Sequence, residues 1–95
     1  MINQKWQSSG EGKFEYRQEE EAPVTAFMDL LKTDSALLVI KHTEVAAELG
    51  GQGIGRALLD AVADYSRENK LRILPVCPFA KNLMLRDPDK YGDLL

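Results

Sequence analysis

Ninety-five residues, 44% of them hydrophobic and 28% charged, make one small domain without room for two cores. A net charge of −3 argues against a nucleic-acid or acidic-membrane binder, since such surfaces are basic. No helix-long apolar run and no charged-then-apolar leader is present, and a single cysteine cannot close an internal disulfide, so a cytoplasmic protein without a membrane partner is expected.

Residues 1–12 are polar, carry Ser8-Ser9-Gly10 and show no sustained period, which predicts a flexible N-terminus ahead of a domain spanning 13–95. Phe14 and Tyr16 alternate with Lys13, Glu15 and Arg17, the period of a half-buried strand. The acidic run Glu19-Glu20-Glu21 before Pro23 reads as a solvated turn. From Val24 to Lys32 two patterns compete: Val24, Ala26, Met28 and Leu30 alternate like a strand, whereas Phe27, Leu30 and Leu31 suit a helix. An apolar strand from Leu37 to Ile40 then runs on through His42-Thr43-Glu44-Val45.

Four glycines follow among six residues, Gly50, Gly51, Gly53 and Gly55, and open an amphipathic helix over about 54–68. Ile54, Ala57, Leu58, Ala61, Val62 and Tyr65 recur at the spacing of one buried face, with Asp60, Asp64 and Arg67 opposite. Asn69 is the expected left-handed C-cap. Leu71, Ile73, Leu74 and Val76 form a short apolar strand, and strand, helix, strand predicts a parallel pair. Pro78 suits the first turn of a second helix, with Phe79, Leu83 and Met84 facing the core and an end near Arg86, before Asp87-Pro88.

Glycines let the backbone approach a ligand closely, and the first turn of a helix offers unpaired N–H groups and a positive dipole end to an anion. The loop therefore reads as a phosphate cradle. Two familiar cradles fail on residues. A dinucleotide fingerprint needs G-x-G-x-x-G, but the spacing here is G-x-G-x-G from Gly51 to Gly55, and a P-loop needs Lys-Ser/Thr where Arg56 and Ala57 stand.

Gly53-Ile54-Gly55 resembles instead the second half of the pyrophosphate motif Arg/Gln-x-x-Gly-x-Gly/Ala of the GCN5-related N-acetyltransferases. His42-Thr43-Glu44-Val45 before the loop and Cys77-Pro78-Phe79 after the helix extend the resemblance, to the family's small acetyltransferase-like members, from about Gly12 to Leu95. Gly50 stands at the motif's Arg/Gln position, a departure that bears on cofactor affinity. The resemblance implies an α/β (α+β) fold: a twisted, mainly antiparallel sheet with one parallel strand pair and two main helices. It settles Val24 to Lys32 as a strand, paired through Thr33-Asp34-Ser35 in a hairpin. It also implies acetyl-CoA as cofactor and an amine as acceptor. The pantetheine arm would lie against backbone at Glu44 and Val45, the pyrophosphate on Gly50, Gly51, Gln52, Gly53, Ile54, Gly55 and Arg56, with Cys77, Phe79 and Lys81 close by.

Three residues are catalytic candidates. His42, the only histidine, and Glu44, in phase with it, could take the amine proton. Cys77 sits before Pro78 at a helix N-cap, where the dipole favours thiolate; it could carry acetyl, donate a proton to departing CoA, or merely line the pocket. No metal site, no nucleic-acid partner, and a monomer or weak dimer are expected. The rival reading is a non-catalytic CoA-binding or protein-interaction module on the same fold.

Overall fold

The computed structural model describes residues 1–95. Five strands lie in chain order across one sheet: β1 (Ile2–Trp6), β2 (Glu11–Tyr16), β3 (Ala26–Lys32), β4 (Leu37–Val45) and β5 (Arg72–Pro75). The first four pair antiparallel, and β5 adds to β4 in parallel. The crossover between β4 and β5 carries α1 (Ile54–Glu68), whose apolar side covers the sheet; α2 (Pro78–Arg86) and the one-turn α3 (Pro88–Tyr91) follow. The ambiguous segment is thus a strand, beginning at Ala26 rather than Val24, since alternation buries Ala26, Met28 and Leu30 against α1.

The core fills the space between one sheet face and α1. Phe14, Met28, Leu30, Leu38 and Ile40 meet Leu58, Leu59 and Val62 there, each worth about 1.5–3 kcal/mol of burial. The buried stripe of α1 is rotated from the expected one: Ala57 is exposed, while Leu59, Ala63 and Ser66 are buried. A helix lying flat on a sheet buries a wider arc than a single i, i+3, i+4 row.

The structure corrects several expectations. The N-terminal residues form a paired strand, because Trp6 stacks on Tyr65 of α1 at 5.3 Å and lies over Gly12, where any Cβ would strike its ring. Asn69 is not left-handed (φ −101°); that conformation falls to Lys70 at φ 57°. Lys70 N–H donates to Arg67 O and Leu71 N–H to Ser66 O, a Schellman closure, while the Asn69 side chain donates to Tyr65 O. Phe79 does not face the core: it is 40% exposed, and Ala80 and Met84 take the buried side of α2. Beyond the expected stop at Arg86 the chain turns back through α3, and Tyr91 is fully buried.

Two irregularities of β4 position the site. Asp29 pairs with His42 but Leu30 with Ile40, so Lys41 is an extra residue in the strand. The bulge shifts the phase: Leu38 and Ile40 point into the core, then Thr43 and Val45 do so, leaving His42 and Glu44 outside. Pairing with β5 ends at Ile40 and Pro75, where the amides of Val76 and Cys77 both donate to Ile40 O. β4 runs on to Val45 paired with β3 only, and β4 and β5 fork.

Candidate functional site

A groove of about 330 Å³ opens at this fork, walled by the glycine loop and first turn of α1 on one side and by Phe79 and Leu83 of α2 on the other. Val45 closes its inner end. The loop can form because Gly51 and Gly53 hold φ of 79° and 75°, a region that costs other residues about 1–2 kcal/mol. Gly53 is the N-cap of α1, and its left-handed turn leaves the helix without a capping side chain. A Cβ at either glycine would enter open space, with nothing within 4 Å. Gly55 serves differently: a Cβ there would strike the Phe79 ring, which packs over the helix start.

This geometry suits a diphosphate. The first turn of a 15-residue helix contributes orphan N–H groups, it carries no acidic residue, and Arg56 flanks it. The apolar walls at Val45, Ile54 and Phe79 suit the less polar arm that would follow toward the fork. Among the expected cofactor contacts, the groove gathers Val45, Gly50, Gly51, Gly53, Ile54 and Gly55, together with Arg56 and Phe79. Glu44, Gln52, Cys77 and Lys81 do not line it; Gln52 turns back to donate to Glu48 O at 3.5 Å, and Lys81 is exposed on α2.

Cys77 is buried in the crotch of the fork, at the N-cap of α2 with Pro78 at N1. Its thiol donates to the Thr43 hydroxyl at 3.4 Å, spanning the gap between the separated strands. Burial pushes the thiol pKa up. It is outweighed first by the Thr43 hydroxyl, which can rotate to donate to a thiolate, and then by the amides of Ala80, Phe79 and Thr43, so that the pKa falls below the ordinary thiol range. Sulfur makes no cap hydrogen bond in the resting geometry, so the helix amides act at longer range. Thr43 went unnoticed in the sequence because only the bulge at Lys41 puts it on the inner face.

His42 and Glu44 lie across β4 from that groove. His42 Nε2 stands 3.6 Å from Glu44 Oε1, both more than half exposed, and the imidazole packs at 6.1 Å from the Phe27 ring. Glu44, Phe27, Val24 and Glu48 border a second groove of about 480 Å³. Val45 lines both grooves, so the free end of β4 is the partition between them. Cys77, through its contact with Thr43, and the His42–Glu44 pair lie on opposite faces of β4.

The family model for GCN5-related N-acetyl-transferases matches residues 13–94. Among solved structures, a GCN5-like protein from Staphylococcus aureus is 38% identical with a TM-score of 0.71, over 99% of this chain and 85% of that one. A ribosomal-protein-alanine N-acetyltransferase from Brucella melitensis biovar Abortus (17% identity, TM-score 0.68) and an IAA acetyltransferase from Bacillus cereus (22%, 0.60) share the fold. The alignment covers 81% and 70% of this chain but only 60% and 43% of those larger proteins. A search of curated proteins finds no match. With the family model spanning most of the chain, over a mixed sheet that forks at a glycine-capped helix, the chain belongs to the GCN5-related N-acetyltransferases.

Proposed function

We propose that the protein is an acetyl-CoA-dependent N-acetyltransferase acting on an exposed amine. The observation that carries this reading is the bare glycine cradle at the start of α1, opening directly onto the β4–β5 fork. Bound acetyl-CoA supplies an activated acetyl thioester. The chain holds its pyrophosphate on the backbone N–H groups of Gly51 to Arg56 and directs its arm along Val45. Backbone N–H groups at the free end of β4 polarise the acyl oxygen. Glu44, which borders the second groove with His42 beside it, takes the proton the amine must shed. Cys77 Sγ can return a proton to the departing thiol. Direct transfer is favoured because the thioester is already activated, and the shared wall at Val45 lets donor and amine come from opposite grooves. A thiol kept unpaired suits a reducing compartment, and this reading places the protein in the cytoplasm.

Calorimetry on Gly53→Val tests it. A β-branched side chain there fills the cradle and stiffens a left-handed position, so acetyl-CoA binding should be lost while the variant still folds. Unchanged affinity in folded Gly53→Val would remove the basis of the assignment.

A second reading, a CoA-binding module without turnover, is favoured by Gly50 at the family's Arg/Gln position. Its backbone angles (φ −58°, ψ 138°) are open to any residue, although a Cβ there would crowd Ala47 O at 3.2 Å, so conformation alone does not impose the missing side chain.

A further inference from the structure

Arg56 stands at the mouth of the cradle with a carboxylate one helical turn away. Asp60 is its i+4 neighbour, and the sequence favours their pairing on α1. The structure shows otherwise. Both oxygens of Asp60 are taken by the C-terminal segment: Tyr91 Oη donates to Oδ1 at 2.5 Å and Lys90 Nζ to Oδ2 at 3.0 Å. Arg56 pairs with no carboxylate, is exposed, and lines the groove. It nevertheless lies near enough for its charge to act on the Tyr91 hydroxyl. Tyr91 is fully buried and fixed, so its hold on Asp60 is part of the packed fold rather than a surface accident.

We infer that Lys90 and Tyr91 are positioning residues for cofactor binding: by occupying Asp60 they keep Arg56 from an intrahelical ion pair and leave its guanidinium free for the cofactor diphosphate. Planar, two-pronged donation suits Arg56 to phosphate oxygens. A guanidinium already paired with Asp60 would have to break that pair first, and an unneutralised Asp60 would add a repelling charge beside the phosphates. The C-terminal segment thus supports affinity without touching the ligand. This rests on the groove being the acetyl-CoA site.

Lys90→Met tests it through calorimetry and arginine side-chain NMR. Affinity for acetyl-CoA at low ionic strength should weaken about two- to fourfold, as expected for helix-pair and near-surface charge energies. The loss should be restored by adding Asp60→Asn and should shrink to nothing in an Arg56→Gln background. A merely structural role for Lys90 would change thermal stability without that coupling to Arg56. In the ligand-free protein, the Arg56 Nε–H should exchange faster with water in wild type than in Lys90→Met, where it gains Asp60 as a partner. Wild-type affinity retained in Lys90→Met, or an equal loss with and without Arg56, overturns the inference. If the NMR change appears but wild type binds no acetyl-CoA, the cofactor reading fails while the displaced pairing stands.

Discussion

At the scale of single residues, Cys77 is the sharpest test of chemistry. Because its folded pKa lies below the ordinary thiol value, the thiolate is favoured in the folded state. Its contribution to stability is present above the ordinary thiol range and is lost as pH falls through the folded value. Alkylation of Cys77 by a neutral reagent should therefore inflect at a lower pH than for a free thiol, and Thr43→Val should move the inflection up. An inflection at or above the free-thiol value would contradict the Thr43 contact. Intact mass after mixing with acetyl-CoA alone separates the two roles. Direct transfer predicts no adduct, and an active Cys77→Ala would exclude the covalent route; an acetyl adduct on Cys77 that passes to amine at the turnover rate would establish it. The sequence announces this residue through Pro78 and the preceding apolar strand. It could not announce Thr43, whose orientation depends on one extra residue in β4.

At the scale of elements, α1 was legible from its helical period and β4 from its apolar run, and Pro78 placed the start of α2 correctly. β1 was not. Only its end residues Ile2 and Trp6 are half-buried and the three between are exposed, so no alternation exists to be read. Its anchor is long-range: the Trp6 ring against Tyr65, with Lys32 Nζ donating to the Tyr65 hydroxyl and lying 4.6 Å over the indole. Trp6→Ala should cost about 2 kcal/mol of ring burial and stacking, lowering Tm by roughly 10 °C. Trp6 borders neither groove at Val45, so acetyl-CoA affinity should be unchanged. Thermal melts paired with calorimetry check this, and a large affinity loss in a folded Trp6→Ala would tie β1 to the site. Phe79 shows the opposite failure. Its spacing suits a core position, but the missing Cβ of Gly55 offers a closer surface, and the ring settles over the helix start beside the groove.

At the scale of the whole molecule, the sheet, α1, α2 and the C-terminal segment share one core, and two grooves meet at Val45, where regular pairing stops. The place of the glycine-lined groove was legible because four glycines stand between a strand and a helix. The division of labour was not, because which face of β4 carries His42 and Glu44 depends on the bulge, and the fate of Asp60 depends on a C-terminal turn far away in sequence. One groove bears the glycine cradle and the other is bordered by Glu44, and they share the wall at Val45. No helix in it is long and apolar enough to cross a membrane. The most direct measurement is thiol release from acetyl-CoA by the purified protein with a panel of amines, run beside Gly53→Val. Amine-dependent release by wild type and none by the folded variant is the predicted result; acetyl-CoA binding without release on any acceptor would contradict it and establish the non-catalytic module instead.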